Sequence, residues 1–380
     1  MSRDTPGPDV TREGDAYRVD TRPPHARPRP RTEPTPGARG PGSSPPNGPR
    51  RPVTARQRRR RIGVTVVLVL LAWVVFLVAV PLAAWHGVQR VNTTPAGDRP
   101  AVTSAHNYLL VGSDSREGLT PEQQQQLNGG GDAAGKRTDS IILVHVSGSG
   151  GKPALVSIPR DSYVPIPGHG SNKINAAYAI GGAELLTRTI EQATGVRLDG
   201  YVEIGFAGFA SVVDALGGVE VCVPFDMNDK DAAINLTKGC QTLDGPTALG
   251  YVRARKSDPR GDIGRAERQR QFLGAIMSKA LTPSTVLIPW RYTGFANAAA
   301  SGLEVGDGTS VVDAVRVLQA IRGVGSGATL SLVVPIQTAA LQTPNAGIAV
   351  KWNSAQALVL FHALQDDEPF SSPPPGTTYP

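Results

Sequence analysis

Between Ile62 and Trp85 the chain reads IGVTVVLVLLAWVVFLVAVPLAAW, a run without a single charge. About 20 predominantly apolar residues suffice for a helix to cross a bilayer, and lipid admits only structures whose backbone groups are bonded internally. The run is therefore expected to be one membrane-spanning helix, and no other segment of the sequence qualifies. Arg58–Arg61 abut its start, whereas its far end has only Arg90 nearby. Positive charge collects on the cytoplasmic side, so the N-terminus is expected inside and the residues beyond about 87 outside. A cleaved leader is the rival reading, but its apolar core would be only about 7–15 residues, and no small-x-small site follows here.

The net charge of +7 belongs to the first 61 residues, which hold fifteen Arg against six acids and leave the rest nearly neutral. Their Pro, Gly, Arg and Ser content ("TRPPHARPRPRTEPTPGARG") buries too little surface to offset ordering entropy. A disordered cytoplasmic tail facing anionic lipid is expected. With no aromatic interleaving and no helix-turn-helix pattern, nucleic acid is not an expected partner. Cys222 and Cys240 are the only cysteines, both in the exported part, where an oxidising setting favours one disulfide. Without a nearby His pair they do not make a zinc site.

The predicted organisation is a tail over 1–61, a signal-anchor helix over 62–86, a stalk over 87–105, a catalytic or binding domain over 106–367 and a loose tail over 368–380. In the outer part, "NYLLVG", "SIILVHV", "PALVSIP", "VEVCVP" and "ATLSLVVPI" read as buried strands. "INAAYAIGGAELLTRTIEQATG", "GFAGFASVVDALGG", "AERQRQFLGAIMSKAL", "SVVDAVRVLQAIRG" and "NSAQALVLFHALQ" have helical spacing, several ending on Gly. Strands interleaved with helices predict an α/β/α sandwich around a mixed central sheet. "GGGDAAGKRT" imitates a phosphate-binding loop, but Arg137 stands where Ser or Thr is needed and a strand-like run follows instead of a helix. The Gln- and Gly-rich segment from Glu117 to Lys136 reads as a mobile loop.

Polar residues gather where these strands meet loops, the usual place for an α/β active site. Asp114 follows "YLLVG"; Arg137 and Asp139 precede "IILVHV"; Arg160 and Asp161 follow "ALVSIP"; Lys173 and Asn175 open a helix. Further along, "GYVRARKSDPRGDIGRAERQRQF" holds six arginines against three acids. "YVRAR" has strand alternation, which puts Arg253 and Arg255 on the face of Tyr251. Asp262 is placed to cap the following helix. That helix has the apolar stripe Phe272, Leu273, Ile276 and Ala280, which continued backwards reaches Gln269, Arg268 and Arg265. Arg270 falls off the stripe and is expected in solvent. Inward guanidinium groups short of carboxylates call for another anion, and Arg suits bidentate grasp of phosphate oxygens. Asp114 and Asp139 are then natural ligands for Mg²⁺, or else neutralise the arginines directly. No Gly-x-Ser-x-Gly elbow, zinc-type His pair or catalytic Cys competes.

With "LLVGSDSR", "RTDSIILVHV", "SIPRDSYV", "NKINAAYAIGG", "FASVVDALGGVEVCV" and "LDGPTALGYVRARKSDPRGDIGRAERQRQFL" in that order, the sequence resembles the LytR-CpsA-Psr family of cell-wall glycopolymer ligases. The likeness covers about residues 106–281 and continues more loosely to about 365. It implies transfer of a glycopolymer from a polyprenyl-pyrophosphate-linked donor to a sugar hydroxyl of peptidoglycan. It further implies Mg²⁺ near the pyrophosphate and the prenyl tail in an apolar tunnel between sheet and helices. By motif, Asp114 and Asp139 hold the metal, and Arg137, Arg160, Arg253, Arg255 and Arg265 the pyrophosphate. Arg268, Gln269, Lys173 and Asp262 support them. The general base stays open between Asp139 and Asp161. A polyprenyl-pyrophosphate hydrolase and a membrane-bound transcriptional regulator are the rival readings, and the polymer stays open among arabinogalactan, teichoic acid and capsular material.

Overall fold

The computed structural model describes residues 54–114, 138–255, 257–258, 262–370 and 372–378, the side chains of Asp262, Ile263 and Ala266 excepted. The basic segment before residue 54, the loop expected over 117–136 and Arg137 lie outside them. The chain begins with α1 (Ala55–Trp85), one helix that takes in Arg58–Arg61 and the whole charge-free run. Among the described residues it is the one helix long and apolar enough to cross a membrane. Pro81 lies inside it. Proline has no N–H, so the carbonyl of Leu77, four residues earlier, loses its helical donor.

After α1 come β1 (Gln89–Val91), β2 (His106–Ser113), β3 (Thr138–Val146), β4 (Ala154–Ile158), β5 (Tyr163–Ile166) and β6 (Gly170–Lys173). α2 (Ile174–Thr194) leads to β7 (Gly200–Ile204) and α3 (Phe206–Ala215). β8 (Val219–Val223), β9 (Met227–Asp229), β10 (Ile234–Leu236) and β11 (Gly239–Leu243) precede α4 (Gly245–Arg253) and α5 (Asp262–Ala280). The chain ends with α6 (Pro283–Val286), α7 (Pro289–Gly302), β12 (Leu303–Gly306), α8 (Val311–Gly323), β13 (Leu330–Val333), β14 (Ile336–Thr343), β15 (Gly347–Trp352) and α9 (Ser354–Gln365).

Seven strands form the central sheet in the order β1-β12-β7-β2-β3-β4-β13. β1–β12, β7–β2 and β4–β13 are parallel and the other neighbours antiparallel, so the sheet is mixed, as expected. On one face Leu109, Val111, Leu143 and Val156 pack with α2 and α9 through Ile174, Leu186, Ile190, Leu360 and Phe361. On the other, Tyr108, Ile142, Val144 and Leu155 meet Val317, Ala320 and Ile321 of α8, with Leu273 and Met277 of α5 against them. A further core joins Phe209, Val213, Val219, Met227, Leu249 and Tyr251 to Phe272, Ile276 and Ala280 of α5. α5 thus serves two cores at once. Where α3 meets α7, a Cβ on Gly208 would stand 2.1 Å from the Gly302 carbonyl oxygen, a contact only glycine permits.

Five expectations need correction. "YVRAR" is not a strand: the Asp244 side chain accepts from the Thr247 N–H at 3.0 Å and Pro246 sits in the first turn, starting a helix that runs through Arg253. "VEVCVP" is a strand, but β8 pairs with β11 outside the central sheet and is buried on one side only. The same pairing sets Cys222 opposite Cys240, and the two are joined in a disulfide. The 87–105 segment is no free stalk, because β1 extends the central sheet and Arg99 pairs with buried Glu191 at 2.5 Å. The 368–380 segment is likewise tied down in its described part: Phe370 packs on the core, and the Thr377 carbonyl accepts from the Val333 N–H at 2.8 Å. Finally, Arg270 is buried, at 4% exposure. It lies on a second stripe with Leu273 and Met277, the stripe that faces the sheet.

Candidate functional site at the C-terminal edge of the sheet

β2, β4 and β7 run in one direction and β3 against them, so the ends of β2, β4 and β7 and the start of β3 share one edge. Asp114 follows β2 directly. The β2–β3 register pairs Gly112 with Ser140 and Ser113 with Thr138, leaving Asp139 as the extra residue of a bulge. Bulges re-aim side chains and recur beside active sites. On the other side, β3 and β4 pair up to Ile141 and Ile158, and the same register carried two residues further sets Asp139 opposite Arg160.

The side chains use that placement. Arg160 Nη1 donates to Asp139 Oδ1 at 2.5 Å, and its Nε lies 3.6 Å from Asp161 Oδ2. Asp161 Oδ1 in turn lies 3.3 Å from Lys173 Nζ, at the end of β6. The result is an alternating row, Asp139–Arg160–Asp161–Lys173, whose members are each about a quarter exposed, at 23–27%. The backbone fixes it too: Ile174 N–H donates to the Ser162 carbonyl at 2.8 Å and Asn175 N–H to the Arg160 carbonyl at 3.1 Å. These bonds tie the N-terminus of α2 to the loop after β4. The row is held near solvent, with two acids set against two bases.

The arginines of 253–270 fall into distinct settings. Arg253, at the end of α4, holds its guanidinium carbon 4.5 Å from the Phe206 ring centroid. Phe206 follows β7, whose last residue Ile204 pairs with Gly112, so Arg253 belongs to the same edge as Asp114. Arg255 is exposed, and its N–H donates to Asp229 Oδ2 at 2.8 Å. Arg265 is buried on the N-terminal turn of α5. Arg268 is buried deeper, bonded to Asp258 and the Ala254 carbonyl, with Nε donating to the Tyr251 carbonyl at 3.3 Å. Gln269 Nε2 donates to the Val252 carbonyl at 3.3 Å. Arg268 and Gln269 therefore brace the end of α4 and the loop after it. Arg270 Nη1 donates to the Ser157 hydroxyl at 2.6 Å across the α5–β4 contact. Arg137 and the Asp262 side chain lie outside the described residues.

One polar group at this edge escaped sequence reading. Glu203 of β7 is 2% exposed and accepts from Tyr178 at 2.6 Å and from Tyr201 at 2.5 Å. Burial, reinforced by the Glu203 charge, pushes both phenols far above their ordinary pKa of 10 and keeps them as donors. Beside them lies a cavity of about 460 Å³ lined by Val91, Tyr178, Gly181, Gly182, Glu203 and Glu304. Its wall includes the break in α2 at Gly181–Gly182, where Gly182 has φ 61°. The available signal was a carboxylate inside the apolar run "GYVEI", a group that needs buried donors.

Comparison with known proteins identifies the family. Residues 84–326 match the LytR_cpsA_psr family. The chain is 42% identical over 318 residues to the probable cell wall biosynthesis protein LcpB of Corynebacterium glutamicum, covering 84% of this chain and 74% of that one. It is 37% identical over 192 residues to the polyisoprenyl-teichoic acid–peptidoglycan teichoic acid transferase TagU of Oceanobacillus iheyensis, covering 48% of this chain and 53% of that one. Among solved structures, B. subtilis TagV superposes with a TM-score of 0.54 at 28% identity, over 70% of this chain and 98% of that one. TagT bound to LI-WTA superposes with a TM-score of 0.53 at 28% identity, over 73% and 99%. By its motifs, its fold and these matches, the chain belongs to the LytR-CpsA-Psr family.

Proposed function

We propose that this protein is a membrane-anchored phosphotransferase that moves a wall glycopolymer from a polyprenyl-pyrophosphate-linked donor onto peptidoglycan. The observation that carries the reading is the row Asp139–Arg160–Asp161–Lys173 at the strand ends, with Arg253 at the same edge. Relatives named for cell wall biosynthesis and for teichoic acid transfer to peptidoglycan support it, as does the likeness to TagT bound to LI-WTA.

In the reaction, an acceptor hydroxyl of peptidoglycan attacks the glycan-side phosphorus. A new P–O bond forms, the bond to the bridging oxygen breaks, and polyprenyl phosphate leaves. The hydroxyl proton passes to a carboxylate at the edge, Asp139 or Asp161. Phosphoryl transfer asks a protein mainly for positioning and for charge placed on the phosphate oxygens. Arg160 and Lys173 supply that charge from the strand ends, and Arg253, Arg255 and Arg265 from α4, the loop after it and α5. Arg137 is proposed for the same set on motif alone.

Mg²⁺ fits this donor set. Asp114 and Asp139 flank the end of the β2–β3 ladder, and Mg²⁺ is usually held by one or two carboxylates with water and phosphate oxygens completing its shell. Among the described residues no three His, Cys, Asp or Glu converge as a cage. The ion supplies Lewis-acid stabilisation of the phosphate charge when bound. For the anchor, α1 is proposed to span the membrane with Arg58–Arg61 at its cytoplasmic end, placing the catalytic domain outside. The test is mass spectrometry of wall fragments after the protein is incubated with a lipid-linked donor and peptidoglycan. A phosphodiester-linked glycan on muropeptides is expected. Release of free glycan phosphate without attachment would overturn transfer in favour of hydrolysis.

A further inference from the structure

α1 is exposed around its circumference up to residue 72, but its last turns carry a covered stripe: Trp73, Phe76, Leu77, Val80, Ala84 and Trp85 are partly buried. That stripe has helical spacing, and α7 packs on it. The Tyr292 hydroxyl donates to the Leu77 carbonyl at 2.7 Å, and the Tyr292 and Phe76 rings lie 5.9 Å apart. Leu77 is the acceptor that Pro81 deprives of its helical donor. In lipid an unbonded carbonyl is costly, so α7 supplies what the span itself lacks.

The depth of this bond follows from the sequence. With Arg61 marking the inner boundary, about 20 residues of helix bring the outer boundary near residue 81. Leu77 then lies four residues inside it, roughly 6 Å at 1.5 Å per residue. A domain bonded at that level does not stand clear of the membrane. The residues before α7 and in its first turn have the matching surface: Leu281, Leu287 and Trp290 are 52%, 61% and 74% exposed. Arg291 is exposed beside them. Interfacial elements bury an apolar face about 5–10 Å deep, with Trp at the headgroup level and Arg reaching lipid phosphates.

We propose that the catalytic domain docks on the outer leaflet through the α6–α7 corner, with Leu287 and Trp290 inserted beside α1. The occupant is lipid and not another protein, because the patch continues directly from a helix whose remaining faces are apolar and exposed over the same span. This rests on α1 as the membrane anchor. Docking fixes the height of the sheet above the bilayer and so presents its C-terminal edge to donors that are themselves held by lipid.

The test uses the full chain in lipid nanodiscs. Both native cysteines are in the disulfide, so one introduced cysteine can be labelled alone. An environment-sensitive nitrobenzoxadiazole dye is attached to Leu287→Cys, Trp290→Cys, Val69→Cys in mid-span, or Ile348→Cys on the exposed β14–β15 hairpin. Lipids with spin labels near the headgroup or deep in the acyl chain are the quenchers. We expect shallow quenchers to lower emission at 287 and 290 at least twofold, deep quenchers to act at 69, and neither to act at 348. Quenching at 69 with 287 and 290 behaving like 348 overturns the docking while leaving the span intact. No quenching at 69 shows that α1 does not span, and the docking falls with it. A blue-shifted but unquenched dye at 287 and 290 shows a protein partner there and overturns lipid as the occupant, and quenching at all four positions overturns it as a localised contact.

Discussion

Arg270 donates to the Ser157 hydroxyl at 2.6 Å, joining α5 to the underside of β4 three residues before Arg160. A buried guanidinium here is a fastener between helix and sheet, not a surface charge. Arg270→Ala removes a charge-assisted bond and leaves Ser157 without this donor inside the core. A loss of about 2 kcal/mol or more is expected. Chemical denaturation of the detergent-solubilised protein should show it, with Arg188→Ala, an exposed α2 position, near wild type. Equal stability of both variants would contradict the fastening role.

Arg160 serves Asp139 with Nη1 and approaches Asp161 with Nε, a span a single ammonium does not reproduce. Arg160→Lys should keep the fold, since the group is partly exposed, yet lower the transfer rate on the order of 10²-fold. The check is the rate of glycan attachment at matched circular dichroism. A near-normal rate would show that charge alone suffices at this position.

Arg265 and Arg268 are both buried on α5, and Arg268 bonds the Tyr251 carbonyl and the Asp258 carboxylate. Arg268→Ala removes one buried partner of the Asp258 carboxylate and should destabilise by about 3–5 kcal/mol, as breaking a buried pair does. Arg265→Lys keeps the positive charge but loses the planar fork, so it is expected to shift the melting temperature less than Arg268→Ala does while cutting transfer. Thermal melts run beside the activity assay separate the two roles. A large melting shift for Arg265→Lys would make that residue structural as well.

The Cys222–Cys240 bond closes a separation of 18 residues, for which chain entropy gives about 3 kcal/mol. The double Ser variant should unfold at correspondingly lower denaturant, while β8 and β11 stay paired through Val219 and Leu243 in the core. Alkylation with and without reductant measures the bond directly, and two thiols reactive without reductant would contradict it.

Burial holds His145 below its ordinary pKa of 6.5, although Asp367 pulls the other way. The unfolded chain therefore takes up this proton at a higher pH than the folded one. The contribution is complete above pH 6.5 and is lost as pH falls from there toward the folded value. Asp367 is also desolvated, but hydrogen bonds led by those from Ser147 and Ser104 hold it below 3.8, so its share is lost only in stronger acid. Melting temperature should drop between pH 7 and pH 5 more steeply in wild type than in His145→Gln. Parallel profiles would remove His145 from the account.

The long apolar helix, the inner strands and the polar residues at their ends were legible because each is a local pattern: an unbroken apolar run, or a charge directly after one. The helix through Tyr251–Arg253 was misread because five residues of alternation were weighed above Asp244 and Pro246, whose capping starts it. Arg270 was misplaced because one apolar stripe was sought on a helix that has two. β1 left no local trace at all. It is three residues long, and its partner β12 lies more than two hundred residues away.

That short strand sets a working radius. Only His86, Gly87 and Val88 separate the end of α1 from β1, and four residue steps reach about 13 Å even when fully extended. With α1 as the anchor, such a leash gives the enzyme no freedom to roam outward through the wall. Under the proposed function, acceptor strands are met within a molecular diameter of the membrane. Polymer attached there would then move outward only with the wall that carries it.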